Sequence, residues 1–289
     1  MASGVRADTT RLLAAETRIG RFVLGDGIAA DEVAAALRRM AARRAIVVSE
    51  PGAWTAVGPG LAAGIRDRGF PVEVVEIPQG EAAKHLAVIE DAARSLARLH
   101  VERREPIVAV GGGALGDTAG LLAALWLRGV PIVHVPTTLV AQIDSSIGVK
   151  TAVDLPEGKN LLGAFHQPES VVVDVSLLRT LPARHLRAAL GEAVKMAALG
   201  DERLFSLLER EGEAIALDDP SASSSGAIAE LVERCLWAKV EIVLVDEREQ
   251  GPTAPADHGP GASPGGVGPG RIALNLGHSA GHAFEAAGR

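Results

Sequence analysis

The chain has 289 residues, with 36 acidic and 29 basic side chains and a formal net charge of −7. That balance excludes broad binding to nucleic acid or an anionic membrane surface, while leaving room for a local basic pocket. A single cysteine, Cys235, excludes an internal disulfide framework and a cysteine-rich zinc site. Apolar runs fall far short of the ~18–20 residues that span a bilayer, and the N-terminal MASGVRADTTRLLAAETR lacks a signal-type apolar stretch. A soluble, cytoplasmic protein of one large or two ordinary domains is expected.

Taken in chain order, the first half alternates short β-branched runs with Ala/Leu-rich stretches of helical spacing. RFVLG (21–25) precedes ADEVAAALRRMAARR (30–44), and AIVVSE (45–50) precedes a second helix-like stretch. VEVVEIP (72–78) precedes EAAKHLAVIEDAARSLARL (81–99); PIVAVGGG (106–113) feeds GALGDTAGLLAALWL, and PIVHVPT (131–137) follows. Continuous apolar strands alternating with amphipathic helices predict a parallel sheet covered on both faces. From about residue 177 the pattern changes to consecutive helices. The expected plan is therefore an α/β domain over residues 1–176 and an all-helical domain over 177–289, with a cleft between them suited to a ligand. Residues 251–270, GPTAPADHGPGASPGGVGPG, hold too little apolar surface to order themselves and are expected to form a flexible loop.

The glycine cluster of PIVAVGGGALGDTAG (106–120) falls between a predicted strand and a predicted helix. Glycines there let the backbone approach a pyrophosphate, and the helix N-terminus offers N–H groups to it. The GGGxxGD spacing is not the GxGxxG fingerprint, and a tight strand-to-helix turn accounts for it equally well. GEAVK (191–195) places Glu192 and Lys195 at i, i+3, as a surface ion pair or a functional one. NLGHSAGHAFE (275–285) places His278 and His282 at i, i+4, which suits a metal, or one ligand beside an acid–base group. DSSIGVKTAVDLPEGKN (144–160) carries Asp144, Lys150, Lys159 and Asn160 in a polar, turn-rich stretch between apolar elements. With Arg128, Lys195, Lys239 and Arg271, these residues would supply positive charge for a small, multiply anionic substrate.

GGGALGDTAG, the block WLRGVPIVHVPTTLVAQIDSSIGVKTAVDLPEGKNLLGAFHQP, LGEAVK, DEREQG and LNLGHSAGHAFE, in this order, closely resemble the 3-dehydroquinate synthases of the sugar phosphate cyclase family. The likeness runs from about residue 15 to the C-terminus. It implies a Rossmann-like NAD-binding α/β domain followed by an all-helical metal- and substrate-binding domain. By resemblance Gly112, Gly113 and Asp117 lie at the NAD pyrophosphate. Glu81, Lys84, Thr137, Thr138 and Lys159 match further nucleotide contacts, and Asp144 an acid beside NAD and substrate. Glu192 and His278 match two of three ligands of a zinc or cobalt ion, and His282 a histidine near the reacting phosphate and the proton transfers. Lys150, Asn160, Lys195, Lys239, Arg271 and Asn275 match the substrate-anion pocket, with Lys150, Lys195, Asp144 and His282 as the catalytic set. Arg128 matches an arginine that reaches a neighbouring subunit's site, which implies a homodimer. The implied activity is that of a phosphate-eliminating lyase on the route to aromatic amino acids. It converts 3-deoxy-arabino-heptulosonate 7-phosphate to 3-dehydroquinate and phosphate by transient oxidation with NAD, elimination, reduction and intramolecular aldol closure.

Three departures from the family pattern stand out. GGKTGVN reads GVKTAVD here, with Val149, Ala152 and Asp154 in place of Gly, Gly and Asn. The Gly/Pro-rich loop separates DEREQG from RIALNLGH, where relatives have only a few residues, and is expected to be able to displace Arg271. The chain stops at Arg289, before the HGE-type motif that carries the family's third metal ligand; His258 in the loop is a poor substitute. A fragment or degenerate copy with weak or no turnover is expected. The rival readings are another sugar phosphate cyclase making a valiolone- or inosose-type ring, an alcohol or glycerol dehydrogenase of related fold, and a non-catalytic NAD-binding module.

Overall fold

A computed structural model describes residues 12–217, 226–249 and 271–276; the expected loop 251–270 with His258, and the pair His278 and His282, lie outside the described residues. The described residues form two compact units, divided at 141/142, 149/150 and 181/182. The division thus departs from the expected boundary at 176/177, and it assigns the short stretch 142–149 to the helical unit.

The first unit is built on a seven-stranded sheet in the order β1-β2-β9-β6-β5-β3-β4. Its strands are β1 (Leu13–Thr17), β2 (Gly20–Gly25), β3 (Ala45–Ser49), β4 (Val72–Glu76), β5 (Ile107–Gly111), β6 (Ile132–Pro136) and β9 (Ser170–Asp174). β1 and β2 pair antiparallel, and all other neighbours pair parallel. Helices α1 (Ala29–Arg39) and α2 (Pro51–Asp67) pack on one face through Val33, Leu37, Leu61 and Ile65, against Val47, Val108, Val110, Val133 and Val135. Helices α3 (Leu86–Arg98) and α4 (Gly113–Leu125) cover the other face through Ile89, Leu96, Leu115 and Leu122, against Ile46, Val48, Ile107 and Ile132. Alternate residues of β3, β5 and β6 thus enter different cores, so these strands are predominantly apolar on both faces rather than alternating, with Ser49 and His134 as their buried polar residues.

The sequence pattern does not announce β1, β9 or the polar stretch after residue 144. β9 is only SVVVD, a short buried run whose periodicity fits helix and strand alike. Its last residue, Asp174, accepts the N–H groups of Gly27 and Ala29 at 2.8 Å each, and so caps the start of α1. Residues 150–165, expected in part to be turn-rich, form an antiparallel ribbon of β7 (Lys150–Leu155) and β8 (Gly158–Phe165). The ribbon lies so close to α4 that a Cβ on Gly120 would stand 2.3 Å from Thr151 Cγ2. Along β8, Leu161, Leu162 and Phe165 are exposed.

The second unit contains α6 (Ala183–Ala198), α7 (Glu202–Ala216) and α8 (Ala227–Val245), as the helical pattern predicts. Leu186, Leu204, Leu207, Leu231 and Val232 are buried in it. Cys235 is fully buried on α8, and burial pushes its thiol up to about 12. Among the described residues no helix is long and apolar enough to cross a membrane.

His134 of β6 is buried opposite α4, and burial, reinforced by the charge of His166, depresses its imidazolium to about 4 from 6.5. The unfolded chain therefore takes up a proton between pH 6.5 and 4 that the folded chain refuses. The resulting stability is whole above pH 6.5 and is lost as pH falls through about 4, by on the order of 3 kcal/mol. Urea midpoints at pH 7 and pH 4.5 should show a smaller acid loss for His134→Leu than for the wild type.

Candidate functional sites

In the first unit, the chain leaves β3 through α2 to β4 and leaves β5 through α4 to β6, so the two connections part toward opposite faces and directions. A crevice at the carboxyl ends of the two strands is the place where such sheets bind ligands. Gly112 follows β5 as the N-cap of α4, a helix of 13 residues whose first N–H groups point out of the turn. A Cβ on Gly112 would stand 3.3 Å from Thr138 Cγ2 and 3.5 Å from Glu50 Oε1, so the turn is closely walled. Thr137 is buried and donates its N–H to Gly111, while Thr138 Oγ1 accepts the N–H of Ala141 at the start of α5 (Leu139–Ile143).

Glu50 was not singled out by the sequence patterns, yet its carboxylate is buried at the head of this crevice. It accepts the N–H of Gly112 at 3.2 Å and that of Gly80 at 2.8 Å, which ties the glycine turn to the loop after β4. The available signal was its place, the first charged residue after the run AIVVS. A solvated helix start explains that position just as well from sequence.

Lys84, in the same loop, is buried, and its ammonium donates to Asp117 Oδ2 at 2.7 Å and to Asn160 Oδ1. Two expected nucleotide contacts thus meet, and Asn160, expected in the substrate pocket, is joined to them. Glu81 and Lys159 are exposed, as are Lys150 at the start of β7 and Arg128. Arg128 follows Leu127 in a left-handed pair, with φ 67° and 50°.

Among the described residues of the second unit three cations are buried: Lys195 on α6, Lys239 on α8 and Arg271 in a short helical turn. Lys195 is ion-paired with Glu192 one turn earlier, and Lys239 with Asp144. Arg271 donates to the backbone carbonyls of Gly148 and Glu247. Burial lowers the ammonium pKa of Lys239; Asp144 opposes that shift, and the charges of Lys195 and Arg271 add to it. Burial likewise lowers Arg271. Arg271 thus lies close enough to Lys239 for its charge to act on that ammonium. Asn275 closes the same turn and is exposed. Val149 stands at φ 51°, a conformation that costs a β-branched residue about 1–3 kcal/mol; its side chain is buried, which offsets that cost. Among the described residues no three His, Cys, Asp or Glu side chains converge as a metal site requires. Glu192, the described member of the expected ligand set, is engaged by Lys195.

Residues 74–188 match the family model for the 3-dehydroquinate synthase N-terminal region and residues 189–260 that for its C-terminal region. The 3-dehydroquinate synthase of Symbiobacterium thermophilum is 40% identical over 245 residues, which are 85% of this chain and 62% of that protein. That of Caulobacter vibrioides is 40% identical over 267 residues, 91% of this chain and 65% of that protein. The chain thus spans less than two thirds of the length of these relatives. Among solved structures, a 2-deoxy-scyllo-inosose synthase complexed with carbaglucose-6-phosphate, NAD+ and Co2+ superposes with a TM-score of 0.77 at 27% identity. The match covers 96% of this chain and 71% of that one. ValA, a 2-epi-5-epi-valiolone synthase from Streptomyces hygroscopicus with NAD+ and Zn2+ bound, superposes with a TM-score of 0.72 at 32% identity, over 83% of this chain and 65% of that one.

The Lys239–Asp144 pair gives a direct test of the buried charge. Asp144→Ala leaves a desolvated cation without its carboxylate and should lower the unfolding free energy by about 3–5 kcal/mol, whereas the double change Asp144→Leu with Lys239→Met should recover most of it. Urea denaturation of the three proteins reads both outcomes.

Proposed function

Because the chain belongs to the 3-dehydroquinate synthase family, we propose that it serves the conversion of 3-deoxy-arabino-heptulosonate 7-phosphate to 3-dehydroquinate and phosphate. The observation that carries this reading is the buried trio Lys195, Lys239 and Arg271. Three cations drawn out of water around two paired carboxylates leave positive charge that a substrate carrying both carboxylate and phosphate would neutralise.

In this reading the trio grips the substrate's anionic groups and stabilises the charge that builds on the departing phosphate. Asp144 and Glu192 hold Lys239 and Lys195 in place by their ion pairs. By resemblance Lys150, Asn160, Asn275 and His282 are further substrate contacts, and Arg128 serves a neighbouring subunit of a homodimer. The apolar residues exposed along β8 suit such an assembly. NAD fits the glycine turn, where Gly112, Gly113, Asp117, Lys84, Thr137 and Thr138 would hold it with Glu81 and Lys159 nearby, and it supplies a transient hydride acceptor. Glu192 and His278 remain the expected ligands of a divalent ion. The described residues alone do not form that site. A cytoplasmic enzyme without a nucleic-acid partner agrees with the net charge of −7.

A second reading, a cyclase making an inosose or valiolone ring, is favoured by the two solved structures just described. To separate them, the protein with NAD and zinc is offered the heptulosonate phosphate, sedoheptulose 7-phosphate and glucose 6-phosphate, and phosphate release is followed. Release from the heptulosonate phosphate should exceed that from the others by roughly tenfold or more, and Lys195→Met and Lys239→Met should each lower it by about 10²-fold. Preference for sedoheptulose 7-phosphate or glucose 6-phosphate would shift the reading to the second. NAD binding without release from any of the three would leave a nucleotide-binding module.

A further inference from the structure

The ribbon is fastened to the nucleotide loop through a residue that no proposed role uses. Asp154 stands where the pairing register of β7 and β8 shifts, between Val153 and Leu155. Its N–H donates to the backbone carbonyl of Lys84 at 2.9 Å, and its Oδ1 accepts the N–H of Asn160 at 2.7 Å. Asn160, at φ 58°, in turn accepts from the Lys84 ammonium, which also donates to Asp117. These contacts close a ring: Lys84 backbone, Asp154, Asn160, Lys84 side chain.

We propose that Asp154 is a positioning residue that sets the Lys84 ammonium against Asp117 and Asn160, and so readies it for a nucleotide's anionic or polar groups. The backbone bond to Lys84, 70 positions earlier in the chain, would form with any residue at 154, but it sets the Asp154 carboxylate between the Lys84 loop and Asn160, whose backbone N–H that carboxylate holds. The bulge explains how one residue does both, because it turns the Asp154 N–H out of the ladder and toward the loop. Asn160 tolerates the left-handed backbone conformation that aims its N–H at Asp154. A lysine stem has four rotatable bonds, and both of its anchors, Asp117 and Asn160, must be placed for the head group to have one position. Asp154 fixes one anchor through its carboxylate and the stem's origin through its N–H. The consequence for nucleotide binding rests on the NAD reading above; the placement of Lys84 does not.

The test uses the full chain as wild type, Asp154→Ala and Asp154→Asn. Acetic anhydride labels lysines in the absence of NAD, mass spectrometry reads each lysine, and NAD affinity is measured separately. Asp154→Ala should raise Lys84 labelling about tenfold with Lys150, Lys195 and Lys239 unchanged, and should weaken NAD binding about tenfold. Asp154→Asn, whose amide oxygen still accepts the Asn160 N–H, should stay within about threefold of wild type on both counts. Unchanged Lys84 labelling in Asp154→Ala overturns the proposal, and so does a rise shared by every lysine, which marks general loosening. A selective rise at Lys84 in a protein whose wild type binds no NAD would uphold the placement and reject the nucleotide reading instead.

Discussion

A parallel sheet buried on both faces leaves polar chemistry one natural outlet, its carboxyl edge. Valines and isoleucines of β3, β5 and β6 feed two separate cores, so a charged side chain anywhere along these strands would need a buried partner. The polar residues inside the strands obey this constraint. Ser49 donates its hydroxyl to the Val110 carbonyl, and His134 is held neutral by burial at ordinary pH. Where the strands end the constraint lifts, and Glu50, the glycine turn and Thr137 gather there. Glu50 spans two loops because two connections diverge at that point, and a carboxylate is long enough to satisfy a backbone N–H on each side.

The helical unit meets a different form of the same constraint. Lys195, Lys239 and Arg271 are removed from water without a sheet edge to release them. Each has a partner suited to its shape: a carboxylate for each ammonium, and two carbonyls for the planar guanidinium. At Lys239 burial outweighs the attraction of Asp144, and the ammonium pKa is lowered. Well-packed apolar residues of similar volume would often serve stability as well as such buried pairs.

Much of this was legible in the amino-acid order. The runs around RFVLG, AIVVS, VEVVE, IVAVG and IVHVP became strands, because β-branched runs between amphipathic helices have few other ways to bury themselves. The late helices are likewise written in their periodicity. SVVVD escaped because five buried residues carry no period, and the ribbon escaped because Asp, Lys and Gly in its sequence argue for turns. At the sites, the glycine cluster and the Glu192–Lys195 spacing were visible as local patterns. Glu50 was not, since its meaning depends on Gly80 and Gly112 arriving from distant positions. Asn160 next to Lys84 is a tertiary fact in the same sense, created by the fold of the ribbon onto α4.

The buried thiol of Cys235 has a practical side. It is the chain's one cysteine, it lies wholly inside α8's packing, and its ionisation is displaced to about 12, so thiolate-directed reagents find almost nothing to attack at neutral pH. For labelling chemistry the wild-type protein therefore behaves as a cysteine-free background. A fluorophore or spin label attached to a thiol introduced on an exposed turn would report from that place alone, without first removing the native sulfur.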